Sequence, residues 1–199
     1  MSDQYKTLLK PSLEILFKDR SSKFYGYAFP ILDEMQAKEH IEELRKVNSK
    51  ANHVCYAWQL GIENPTFRVN DDGEPSNSAG NPIYGQIQSF EITNVLIAVV
   101  RYFGGTKLGV GGLIHAYRTA AQLALQNSVI VERMQEESFS ISFKYPAMNS
   151  VMRIIKKHQL RIVSKTMDLE CNFMVAVRKK HAEEVKSIFK HAINITLND

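Results

Sequence analysis

Cysteine and long apolar runs are scarce in this sequence, and glycine is missing from its last third. The two cysteines, Cys55 and Cys171, stand far apart with no metal-ligand spacing around them. That excludes a disulfide-built scaffold and predicts two reduced, buried thiols. The longest uninterrupted apolar run, Val95–Val100, falls well short of the roughly 20 residues a membrane-spanning helix requires. The opening Met1-Ser2-Asp3-Gln4-Tyr5-Lys6 has no apolar core, so no secretory signal is expected and the chain reads as a soluble cytoplasmic protein. Neither charge dominates, since 25 Lys+Arg stand against 21 Asp+Glu. What is present is an ordinary globular composition over 199 residues, with 44% hydrophobic, 23% charged and 10% aromatic residues. That composition excludes a disordered tail or low-complexity scaffold, and a chain of this size can bury roughly 70% of its unfolded surface.

The distribution of charge and glycine divides the chain. Up to Met134 there are 14 basic and 14 acidic residues, and from Gln135 onward 11 basic and 7 acidic, so the whole formal +4 belongs to the last third. All ten glycines lie between Gly26 and Gly112. A boundary at residue 135 accounts for both asymmetries and predicts two domains, 1–134 and 135–199.

In the second domain Phe139, Ile141, Phe143 and Tyr145 alternate with polar residues as in a half-buried strand. Met148, Val151, Met152 and Ile155 follow at helical spacing, and a strand at Arg161–Met167 comes next. A turn near Asp168 leads to a strand through Cys171, Phe173, Val175 and Val177, then a helix carrying Ala182, Val185, Ile188 and Phe189, then a strand from Ile193 to Leu197. The order βαββαβ predicts a ferredoxin-like fold, which specifies no single function. Arg178-Lys179-Lys180-His181 is either a phosphate-facing patch or a solvated turn before a helix.

The first domain begins with strand-like segments at Ser12–Arg20 and Ser22–Phe29 and a helix capped by Asp33, whose inner stripe is Ala37, Ile41, Leu44 and Val47. Val54–Gly61 reads as a strand, and Asn70–Pro82 reads as a loop because turn residues fill nearly every place. The run Asn94–Val100 suits a central strand with both faces covered. After Arg101-Tyr102-Phe103 come five glycines in nine residues, Gly104, Gly105, Gly109, Gly111 and Gly112, and then a helix to about Asn127 with Leu113, Tyr117, Ala120 and Ala124 inward.

Strand, glycine loop and helix together present backbone amides to an anion. Arg101 and Lys107 flank the loop and would add positive charge. It is no known nucleotide cradle: Leu108 follows Lys107 where a Walker loop needs Ser or Thr, and Ile114 stands where a dinucleotide fingerprint needs its third glycine. Tight turns or close helix–sheet packing are the other use of such glycines. Tyr102 and Phe103 are read either as core or as surfaces for base stacking. Asp71, Asp72 and Glu74, with His53 and Tyr56, could hold a divalent ion or move protons, or could be there only for turn hydrogen bonds. No Ser-His-Asp order, metal-spaced histidine pair or cysteine nucleophile setting is present, so no catalytic residue, metal or cofactor is assigned.

Two separated motifs carry a resemblance. Asp71-Asp72-Gly73-Glu74-Pro75-Ser76 with Ala79-Gly80 and Pro82, and Arg101-Tyr102-Phe103-Gly104-Gly105-Thr106-Lys107-Leu108-Gly109-Val110-Gly111-Gly112-Leu113, resemble the signature of the IMPACT/YigZ family. His53-Val54-Cys55-Tyr56-Ala57 resembles a third segment of it. Asn77-Ser78 replaces the usual Gly-Thr of the first motif, and His115 and Arg118 replace residues that are often Arg and Gly. The resemblance implies a ribosomal protein S5 domain 2-like α/β sandwich followed by a ferredoxin-like domain similar to the C-terminal domain of elongation factor G. It also implies nucleic-acid binding and a link to translation, without a catalytic mechanism.

Three readings stand at this point. The first is a non-catalytic RNA- or ribosome-associated protein that contacts phosphate through Arg101, Lys107 and the glycine loop, with Arg178, Lys179 and Lys180 as a second surface. The second is a regulator whose loops, including His53, Asp71, Asp72, Glu74 and Ser76, dock a protein partner. The third is an enzyme acting on a phosphorylated substrate through the same two loops.

Overall fold

The computed structural model describes residues 3–198. The chain divides into two compact units, one spanning Tyr5–Arg133 and the other Met134 onward together with Asp3 and Gln4. Both are mixed α/β structures.

The first unit is built on an antiparallel five-stranded sheet, order β2-β3-β6-β4-β5. Its strands are β2 (Ile15–Asp19), β3 (Ser22–Pro30), β4 (His53–Leu60), β5 (Thr66–Asn70) and β6 (Val95–Tyr102). Helices α2 (Gly80–Ser89) and α3 (Gly109–Gln126) cover one face, where Phe24, Cys55, Ala57, Ile97 and Val99 meet Ile83, Tyr117 and Ala120. Helix α1 (Glu34–Val47) covers the other, where Val54, Trp58, Leu96 and Val100 meet Ile41 and Leu44. Alternate residues of β6 therefore enter different cores, which is why its sequence is a continuous apolar run. Asp33 caps α1 as expected, its carboxylate accepting from the Gln36 amide at 2.8 Å. Strand β1 (Gln4–Leu8) pairs with β7 (Ile130–Met134), holding together the two ends of this segment.

The segment read as loop to Pro82 ends sooner, because α2 begins at Gly80. Proline lacks only a donor that a first helical turn leaves unpaired, so Pro82 is compatible with this start. Val47, expected on the buried stripe of α1, is 75% exposed at the last position of that helix.

The second unit runs β8 (Glu136–Phe143), α4 (Met148–Lys157), β9 (Arg161–Met167), β10 (Cys171–Arg178), α5 (Lys179–Lys190) and β11 (Ile195–Asn198), with sheet order β11-β8-β10-β9. Phe139, Ile141, Phe143, Phe173 and Val175 pack on Val151, Ile155, Val185 and Phe189. Both cysteines are free and buried.

Candidate functional site

The acidic loop connects β5 to α2, and its carboxylates point inward. Asp71 Oδ1 accepts from the amides of Ala79 (2.9 Å) and Gly80 (2.8 Å), and Oδ2 accepts from Asn77 (2.8 Å). It therefore caps α2 from nine residues upstream of the helix's first residue. The Cys55 thiol donates to the Asp71 carbonyl at 3.0 Å. Asp72 accepts from Arg45 through Oδ1 (2.7 Å) and from the Val54 amide through Oδ2 (2.6 Å), tying the loop to α1 and β4. The Asp72 carbonyl lies 2.7 Å from His53 Nδ1. A carbonyl only accepts, so Nδ1 carries the proton that bridges them.

Glu74 reaches deeper, its side chain only 4% exposed. Its Oε1 accepts from Arg101 Nη1 (2.5 Å) and from the Tyr117 hydroxyl (2.7 Å), and His53 Nε2 stands 3.7 Å away. The Arg101 guanidinium lies 5.4 Å from the Phe24 ring centroid and 5.6 Å from that of Phe103, and its buried Nε has no hydrogen-bond partner among the described residues. Burial pushes the Cys55 thiol and the Tyr117 hydroxyl far above their ordinary values, and the carboxylate of Glu74 pushes in the same direction. Both stay protonated, so Cys55 is a poor nucleophile and Tyr117 a fixed donor. One buried carboxylate thus joins the acidic loop, the end of β6 and the middle of α3. Ser76 is exposed on the outside of the loop.

Arg101, expected beside the glycine loop as a phosphate ligand, is interior and committed to Glu74. The loop itself is open. At Gly104 a Cβ would fall 2.0 Å from the Ser21 carbonyl carbon, so only glycine permits this approach to the β2–β3 turn, where the Gly104 amide donates to Ser22 Oγ at 3.1 Å. Gly105 and Gly109 have φ of 87° and 73°, the left-handed region where glycine carries no penalty. Helix α3 then starts with no capping side chain and no acid in its first turn. The first amides of a helix have no partner within it, and here no side chain takes their place. Lys107 is exposed beside them and makes no ion pair among the described residues. A Cβ on Gly111 would meet nothing within 4 Å, so no local packing demands glycine there. Phe103 is 45% exposed at the entrance to the loop, while Tyr102 is half-buried with its hydroxyl on Asn48. His115 and Arg118 lie exposed farther along α3.

In the second unit Arg178 grips Asp3 with two hydrogen bonds, of 3.0 and 2.9 Å. That pairing holds the Asp3 carboxyl below its ordinary value and raises the guanidinium above its own. Lys179 begins α5 half-buried, and Lys180 is exposed beside it. Among the described residues no group of three or more His, Cys, Asp or Glu side chains is placed to hold a metal ion, and no helix is long and apolar enough to cross a membrane.

The Impact N-terminal domain family model matches residues 20–125, a stretch containing both loops, His53 and Tyr117. The chain belongs to the IMPACT family. Its resemblance to IMPACT/YigZ proteins, read from the loop motifs, is thereby confirmed. IMPACT family member YvyE of Bacillus subtilis is 32% identical over 138 residues, 69% of this chain and 64% of YvyE. An IMPACT family member of Haemophilus influenzae is 26% identical over 183 residues, 90% of this chain and 89% of that relative. A solved structure described as that of an hypothetical protein aligns with a TM-score of 0.74 at 21% identity, covering 99% of this chain and 97% of that one, and so shares its fold.

Three partnerships in this cluster are not foreseen from the sequence: Tyr117 with Glu74, Arg45 with Asp72 and Cys55 with the Asp71 carbonyl. Tyr117 left a trace, as a large polar ring on an inward helix face otherwise filled by Leu113, Ala120 and Ala124. The other two contacts depend on packing distant segments together and leave none.

Proposed function

We propose that this IMPACT family protein is a non-catalytic cytoplasmic binding protein that holds phosphate of RNA, free or within the ribosome, at the glycine loop, and acts in regulating translation. The carrying observation is the uncapped start of α3, where the amides from Gly109 to Gly111 have no acceptor side chain among the described residues and Lys107 stands exposed beside them. Exposed Phe103 offers a base a ring to stack on. Gly104, Gly105 and Arg101 set the loop's shape, Arg101 through Glu74 rather than by touching the ligand. Lys180, beside the Arg178–Asp3 pair and Lys179, is a secondary contact in the second unit. As part of the same reading, the first unit is S5 domain 2-like and the second ferredoxin-like, in keeping with their strand orders.

The reading involves no catalytic step. Asp71, Asp72 and Glu74 already accept hydrogen bonds from the protein, and Cys55 and Tyr117 are held protonated.

The test is fluorescence anisotropy with labelled single- and double-stranded RNA at several salt concentrations, comparing wild type with Gly111→Glu. The substitution occupies open space and places an acid in the first turn of α3, where the helix dipole favours it, so the fold is retained. Binding that weakens with salt and is lost in Gly111→Glu supports the reading. No RNA binding by wild type at low salt, or full binding by Gly111→Glu, overturns it.

A further inference from the structure

A second site lies on the opposite face of the five-stranded sheet. Helix α1 covers β6 and β4 but leaves β5 bare, and a groove of about 650 Å³ opens between the helix and that strand. The volume falls within the range of ligand-binding clefts. Its floor is Tyr56, Trp58 and Ile41, and Met35, which is 67% exposed, stands on the helix side. Lys38, Arg45 and Arg68 border it, together with Glu34 and Glu42. Glu42 is matched by Lys38 at 3.7 Å and Arg45 by Asp72 at 2.7 Å. Arg68 makes no ion pair among the described residues and sits on β5 itself, directly across from Trp58.

β5 is an edge strand. Among the described residues it pairs with β4 on one side and with no strand on the other. An exposed edge with free backbone donors and acceptors is a template for an added strand. Side chains alternate along β5, so Arg68 faces the groove, whereas Phe67 turns to the other face. There Phe67 is 54% exposed and stacks on Tyr84 of α2 at 4.3 Å. A segment laid against this edge would therefore meet a cation on one face and exposed aromatic surface on the other.

We propose that the β5 edge and its groove bind an extended peptide segment of a partner protein, in which an acidic residue is flanked by apolar ones. The acid pairs with Arg68 over the groove, the flanking apolar side chains cover Phe67, and the peptide backbone extends the sheet as a sixth strand. The tryptophan and tyrosine of the floor are each less than 10% exposed, too covered to serve as stacking platforms for bases. This inference does not rest on the glycine-loop reading, since the two sites use different strands and different loops.

The test titrates full-length protein into fluorescein-labelled acetyl-Val-Val-Glu-Val-Val-amide, with the Lys-for-Glu peptide and a peptide N-methylated at alternate residues as controls. Fluorescence of Trp58, the single tryptophan of the chain, reports from the groove. Wild type is expected to bind the acidic peptide and change the Trp58 signal. Arg68→Glu is expected to lose about tenfold or more in affinity for it and to gain affinity for the lysine peptide, a reversal that misfolding could not produce. N-methylation is expected to abolish binding by removing the backbone donors. Four results overturn the proposal: no anisotropy rise at millimolar protein, equal affinity for both peptides, unchanged binding after N-methylation, or displacement of the peptide by poly(U) with the same Arg68 dependence. The last would make the groove a nucleic-acid site.

Discussion

The acidic loop and the glycine loop carry the two longest signature motifs of this chain, yet they use their polar groups in opposite ways. Between Asp71 and Glu74 the carboxylates turn inward to backbone amides, Arg45, Arg101 and Tyr117. Between Gly104 and Gly112 the glycine at the start is tightly packed, Gly109 and Gly111 border open space, and the first amides of α3 have no capping side chain, with Lys107 alongside. A motif rich in carboxylates is the more obvious place to look for chemistry, and here it serves as a clamp. What the clamp positions is the start of α3, because Glu74 grips Tyr117 two turns into that helix.

The strongest way to break this contrast is to remove charge from the clamp. Glu74→Gln leaves the Arg101 guanidinium buried without its counter-ion, which costs about 3 kcal/mol or more. A thermal midpoint lowered by several degrees is expected, and an unchanged midpoint would deny Glu74 its structural role. Asp71→Ala removes the cap of α2 and is expected to cost about 1–2 kcal/mol by urea denaturation. The glycine loop should respond in the opposite sense. Gly111→Ala lies in a helical turn with room for a methyl group, so it should raise stability by up to about 1 kcal/mol. Lys107→Ala should leave the thermal midpoint unchanged while lowering the salt slope of RNA binding by about one counter-ion.

The smallest effect concerns a cation that, unlike Lys107, is already engaged. Asp3 has a folded-state value depressed by Arg178, so its contribution to stability is present above its ordinary value of 3.8 and is lost as pH falls through the lower folded value. The difference in thermal midpoint between wild type and Asp3→Asn should be constant above about pH 5 and narrow below the ordinary value. A difference independent of pH through that range would contradict the pairing.

How much of this could be read in the sequence depends on how local the cause is. Strands β3 and β6, helices α1 and α3 and the elements of the second unit announce themselves through periodicity and near neighbours. Helix α2 does not, because Gly80, Pro82 and Gly85 weaken its pattern and its cap comes from Asp71. Strands β1 and β7 pair across almost the whole first unit, so neither has a partner nearby in sequence. The same distinction holds at the site. The glycine cluster was visible as a possible anion nest, whereas the fate of Arg101 was decided by Glu74, 27 residues away. A cation next to a glycine loop reads as a ligand until its counter-ion is found.

The contrast between the loops is tested most directly by recording backbone amide resonances of the isotope-labelled protein while a short oligouridylate is added. The account predicts shifts concentrated at Gly105–Leu113, with Asp71–Ser78 nearly still, and loss of those shifts in Gly111→Glu. Shifts centred on Asp71–Ser78, or none at the start of α3 while RNA binds, would contradict it.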